Sequence, residues 1–87
     1  MKWYQRWAQN VACEFGPGWK AEWRERVRDD AYNCVTFLVV LEKQGTRIEK
    51  QVDIDGEMNT REGAFQARME AKRRLLTLVT EEISSRQ

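Results

Sequence analysis

Histidine is absent from this 87-residue chain, and with it the commonest general base and metal ligand. The two cysteines, Cys13 and Cys34, are too few for a disulfide framework and too far apart for a metal knuckle. Metalloenzymes and histidine-assisted nucleophiles are therefore not expected, no metal or other cofactor is called for, and a reducing, cytoplasmic setting is the default. No charged-then-apolar leader is recognisable at the N-terminus. The longest apolar run, Phe37-Leu38-Val39-Val40-Leu41, falls far short of the roughly 18 to 20 residues a membrane helix needs, so no membrane role is expected.

Charge of one sign is lacking too. The formal net charge is +1. Residues 1–33 carry six basic and five acidic groups, 34–59 three and five, and 60–87 six and four. A dedicated nucleic-acid binder gains affinity by neutralising phosphates and releasing their counterions, so such a role here rests on a local cluster. There is one proline and there are five glycines, none forming a phosphate-binding loop, and no catalytic signature stands out. A chain this size spares little volume for a concave active site, and the expectation is a protein that is not an enzyme. Asp53-Ile54-Asp55-Gly56-Glu57-Met58-Asn59 begins like a calcium loop and fails as one. Its sixth position is Met58 where glycine is needed, and its twelfth is Ala64 where a bidentate glutamate is needed.

What is present is a folded domain's balance, 41% hydrophobic and 33% charged, in a length that holds one core. The expectation is a single domain over residues 1–87. Trp3, Tyr4, Trp7, Ala8, Val11, Ala12 and Phe15 recur at steps of three and four, which predicts an amphipathic helix. Gly16-Pro17-Gly18 ends it. Between Trp19 and Asp30 two periods compete. Trp19, Trp23, Val27 and Ala31 recur every four, yet Trp19, Ala21, Trp23 and Val27 also fit alternation. The uniformly charged alternates Lys20, Glu22, Arg24, Arg26 and Arg28 favour a strand.

Two further strands are predicted over Asn33 to Lys43 and Thr46 to Asp55. A two-residue turn at Gln44-Gly45 sets Leu41 against Ile48, Phe37 against Val52, Val35 against Ile54 and Glu42 against Arg47. A three-residue loop Asp29-Asp30-Ala31 would set Trp23 against Phe37 and Ala21 against Val39. After Gly56, Asn59 with Glu62 has capping-box spacing, and a long helix follows. Its apolar positions are Phe65, Met69, Leu76, Val79 and Ile83, beside Ala64, Ala71, Leu75 and Leu78. So wide an arc predicts a helix touching both the sheet and the first helix. The fold class is α+β: a three-stranded antiparallel meander with an N-terminal and a long C-terminal helix on one face, α-β-β-β-α.

Four surface features could carry function. The outer sheet face sets Lys20, Glu22, Arg24, Arg26 and Arg28 on one side of Cys34, Thr36, Leu38 and Val40. Arg47, Glu49, Gln51, Asp53 and Asp55 stand on the other. An apolar strip around Leu38 and Val40 between basic and acidic edges suits protein contact, although Arg and Glu stems could simply cover it. Trp23 and Phe37 belong to the core. Trp3 and Trp7 lie toward the rim of the first helix's stripe, where tryptophan favours interfaces. On the last helix Arg68 and Lys72 interrupt the apolar arc, with Arg73 and Arg74 nearby, either snorkelling at its rim or awaiting an acidic partner.

The element order is similar to that of the double-stranded-RNA-binding domain, and the resemblance implies nucleic-acid binding as an alternative. That family opens its last helix with a Lys-Lys-x-Ala-Lys type run; this chain has Thr60-Arg61-Glu62-Gly63-Ala64 there. The leading expectation is a non-enzymatic module that binds a protein, as a small inhibitor or adaptor of a larger machine, of the kind phages and mobile elements carry. Its contacts would be Trp3, Trp7, Arg24, Arg26, Arg28, Leu38, Val40, Arg68 and Lys72. A homodimer through the outer sheet face is a third expectation.

Overall fold

The computed structural model describes residues 2–27 and 34–86. Helix α1 (Trp3–Glu14) leads into strands β1 (Lys20–Val27), β2 (Cys34–Lys43) and β3 (Thr46–Asp55), and helix α2 (Arg61–Arg86) closes the order α-β-β-β-α. The strands form one antiparallel meander, β1-β2-β3. This is the architecture that the hydrophobic periods predict, and the contested segment is a strand. The loop Asp29-Asp30-Ala31 and Arg28 lie outside the described residues. No helix among the described residues is long and apolar enough to cross a membrane.

Gln44 (φ 39°) and Gly45 (φ 86°) are both left-handed, as a two-residue turn matched to strand twist requires. The register that follows pairs Leu41 with Ile48, Phe37 with Val52, Val35 with Ile54 and Glu42 with Arg47, as the alternation predicts. Between β1 and β2 the register differs from expectation by two residues. Trp23 faces Val39, Ala21 faces Leu41 and Glu25 faces Phe37. With this offset the indole of Trp23 lies diagonally to Phe37, ring centroids 5.7 Å apart. A shift of two preserves which face each side chain takes, and the inner and outer sets survive unchanged.

Phe37, Leu41, Leu75, Val35 and Val79 are the largest fully buried side chains, each stabilising the fold by roughly 1.5 to 3 kcal/mol. Helix α1 packs on β1, and α2 on β3 with a smaller contact on β2. The buried side of α2 runs Ala64, Ala67, Ala71, Leu75, Val79 and Ile83. Steps of four advance the stripe about 40° each around a helix of 3.6 residues per turn, which suits a diagonal course over a twisted sheet. At the sheet-proximal end the residues are alanines, and a methyl added at Gly56 would stand 2.9 Å from Ala67 Cβ. The expectation that Phe65, Met69 and Leu76 are buried fails: they are 53%, 40% and 39% exposed. They point away from the sheet, and α1 reaches this side of α2 only with Trp3, which meets Phe65 at 6.0 Å and leaves it half exposed.

The main chain at the edge of β1 has a side-chain partner. Gln5 Nε2 donates to the Trp23 carbonyl (2.6 Å), and the Trp23 N–H donates to Gln5 Oε1 (3.1 Å). Both main-chain groups of a residue in an antiparallel ladder point the same way, so Trp23 directs its pair away from β2. The Gln5 amide takes the place of a neighbouring strand there.

Helix α2 starts one residue later than the Asn59 and Glu62 spacing predicts. The cap is Thr60, whose Oγ1 accepts the Gly63 N–H at 3.0 Å. A Cβ at Gly63 would come within 2.7 Å of that oxygen and would also meet the Glu57 carbonyl. The Gly63→Ala variant should therefore lose about 1 to 3 kcal/mol from crowding, although alanine is the better helix former. Urea unfolding checks this, and an unchanged or raised midpoint would mean the cap has room to spare.

Candidate protein-interaction surface

The outer sheet face partly neutralises itself. Arg24 pairs with Glu22 (3.0 Å), and Arg47 with both Glu42 (2.9 Å) and Glu49. The hydrogen bond from Arg24 holds the Glu22 carboxyl below its usual range despite slight opposing desolvation, and Glu22 in turn raises the Arg24 guanidinium. Val40, between Glu22 and Glu49 in the ladder, is only 3% exposed. Leu38 is half-buried beside Arg24 and Gln51. At the far end Thr36 Oγ1 donates to Asp53 Oδ1 (2.6 Å), and Arg26 has no ion-pair partner among the described residues. Arg28 lies outside them.

On the inner face, two charges that break their own patterns meet each other. Glu25 occupies an inward position of β1 opposite Phe37, and Arg68 interrupts the apolar arc of α2. Arg68 Nη2 donates to Glu25 Oε2 (2.9 Å) and its Nε to Oε1, which also accepts from Trp23 Nε1 (3.0 Å). The guanidinium lies 4.6 Å from the Tyr4 ring centroid. Burial alone would raise the Glu25 pKa, but the bonds from Arg68 and Trp23 outweigh it and the carboxyl is held low. Arg68 is raised, first by its hydrogen bond to Glu25. Lys50, also inward on β3, pairs likewise with Glu82 of α2 (3.4 Å).

The candidate site residues thus divide. Arg68 serves the interior. Trp7 is half-buried, edge-on to Trp23 at 5.7 Å, with Lys72 Nζ 6.0 Å from its ring centroid. Trp3 is 37% exposed and lies 6.0 Å from Phe65. Trp3, Phe65, Met69 and Leu76 together form an exposed apolar ridge along the outside of α2. A shallow trough of about 560 Å³ runs along it, bordered by Gln66, Glu70, Lys72 and Arg73. Arg73 and Arg74 both pair with Glu70, whose carboxyl is held low by their hydrogen bonds.

Sequence reasoning missed Phe65, Met69 and Leu76 as surface residues. A clue was available in the width of the arc: a sheet covers one side of a helix, and the apolar positions of α2 run past that side. Cys13 is exposed and Cys34 half-buried, both as free thiols, and the described residues hold no cluster of three metal-ligating side chains. Comparison with protein-family models, curated proteins and solved structures finds no significant match.

A carboxylate whose pKa is depressed in the folded state adds stability that is complete above its unfolded value, near 4.3 for glutamate, and is lost as pH falls through the folded value. Stability should accordingly drop on acidification below about pH 4.5. Glu25→Gln should flatten part of that slope while costing about 1.5 to 3 kcal/mol at neutral pH. Urea unfolding of both proteins across pH 3 to 7 measures this; parallel curves would remove Glu25 from the account.

Proposed function

We propose that the protein is a non-enzymatic protein-binding module, a small inhibitor or adaptor whose docking surface is the ridge of Trp3, Phe65, Met69 and Leu76. The observation that carries the reading is the clustering of these exposed apolar side chains on one continuous strip. Interfaces favour aromatics and methionine at their centres. The outer sheet face is the weaker candidate, because Val40 is covered and Arg24 and Arg47 are internally paired.

Nucleic-acid binding, the alternative, needs free cations that can reach phosphates. Arg24, Arg68, Arg73 and Arg74 already hold carboxylates, which leaves Arg26 and Lys72 as the unpaired members of the two clusters among the described residues, and the likeness to the double-stranded-RNA-binding domain remains one of element order. No specific observation favours it.

Tagged protein retained on a support, incubated with source extract with and without nuclease, tests the reading. Retention of a protein partner should survive nuclease, fall at least tenfold for Met69→Glu and Leu76→Glu, as expected when a charge enters an apolar contact, and persist for Arg26→Glu. Both ridge variants should melt close to the parent, since these side chains are exposed. Loss of all retained material on nuclease treatment, or indifference to the ridge variants, would defeat the proposal.

A further inference from the structure

Resting on the protein-binding reading, we infer that the ridge receives an amphipathic helix of the partner, one that sets acidic side chains against Lys72. The first ground is spacing. Phe65, Met69, Lys72 and Leu76 follow one another at intervals of four, three and four, the rhythm by which helices interlock side chains. The seam is about 16 Å long at 1.5 Å per residue, three turns of helix, and Trp3 stands against its Phe65 end. A strand or an irregular loop would not match that rhythm.

Charge supplies the second ground. Lys72 and Arg73 border the trough against Glu70 alone. Glu70 is engaged by both Arg73 and Arg74. The Lys72 ammonium rests beside the Trp7 ring and has no carboxylate partner among the described residues, though it lies in the middle of the apolar row. An acid presented by an incoming helix would complete it in a setting partly shielded from water, where opposite charges attract more strongly.

A second copy of the chain suits the ridge less well. Antiparallel packing that sets Phe65 against Leu76 also sets Met69 against Lys72, in both directions. Two ammonium groups then fall in adjacent central layers with no acid of the seam between them. Like charges so placed penalise the pairing.

The experiment is selection from a displayed library of helices about 20 residues long, long enough to hold helical structure, with randomised faces, against the full chain. Retained helices should carry apolar residues at the same three-four rhythm and Asp or Glu opposite Lys72. They should shift the Met69 methyl resonance. Lys72→Glu should weaken them about tenfold or more, since it sets like charges face to face, and selection against that variant should favour basic helices. Arg73→Glu should weaken them in the same direction, which guards against a folding defect particular to one variant.

Winners without acidic bias, or winners that bind Met69→Glu unchanged, would overturn the inference. So would a concentration-dependent increase in size that Met69→Glu abolishes, which would assign the ridge to a second copy. Met69-dependent retention on anionic vesicles, assigning it to a lipid surface, would also overturn it. If ridge variants lose the extract partner while selected helices show no acidic bias, the protein-binding reading stands and the acidic helix falls. If ridge variants keep that partner, both fall.

Discussion

Across the inner face of the sheet, the ion pair between Glu25 and Arg68 ties β1 to α2, a helix that packs mainly on β3. Helix α1 rests on β1 and α2 rests on β3, so each helix could be fixed to its own strand and remain indifferent to the other. The guanidinium of Arg68 prevents this. It reaches from α2 to the carboxylate of β1, which also receives the Trp23 indole, and it lies against Tyr4 of α1. Three elements are thereby set in one arrangement by a group that needs both its partner and its aromatic wall. A half-buried pair of this kind contributes more to fixing geometry than to net stability, because desolvation offsets much of the Coulomb attraction.

The position of the ridge follows from that arrangement. With Arg68 turned toward the sheet, the helical turns around it carry Phe65, Met69 and Leu76 to the outside, and the side chains of α1 end at Trp3 and Trp7. The same contact that organises the interior therefore determines which apolar groups are left facing solvent. The outer sheet face differs in kind: short-range pairs such as Arg47 with Glu42 settle its charges locally, and a surface whose charges are already satisfied offers less to a newcomer.

Much of the fold could be read from the residues because the period of the hydrophobic pattern changes along the chain. Val35, Phe37 and Leu41 against Ile48, Val52 and Ile54 identify both the hairpin and its register, and Gln44-Gly45 supplies the only local geometry the turn needs. The β1 register was less legible, since nothing in the alternation distinguishes Trp23 opposite Phe37 from Trp23 opposite Val39: both place the indole on the inner face. The surface was hardest to read. Helical periodicity marks Met69 and Leu76 as apolar, but it does not reveal whether a neighbour exists to cover them. Glu25 and Arg68 each looked anomalous in its own element, and their meeting depends on a crossing of helix and strand that no local pattern encodes.

The amide of Gln5 has a different kind of consequence. An edge strand with open main-chain groups is a template on which further strands can grow. At Trp23 that template is occupied by a side chain belonging to α1. Docking of the first helix and closure of the edge are thus a single event, and so are their opposites. Whatever detaches α1 also uncovers Trp23 and the main chain behind it, so at this point of the edge resistance to strand addition lasts only as long as the first helix stays seated.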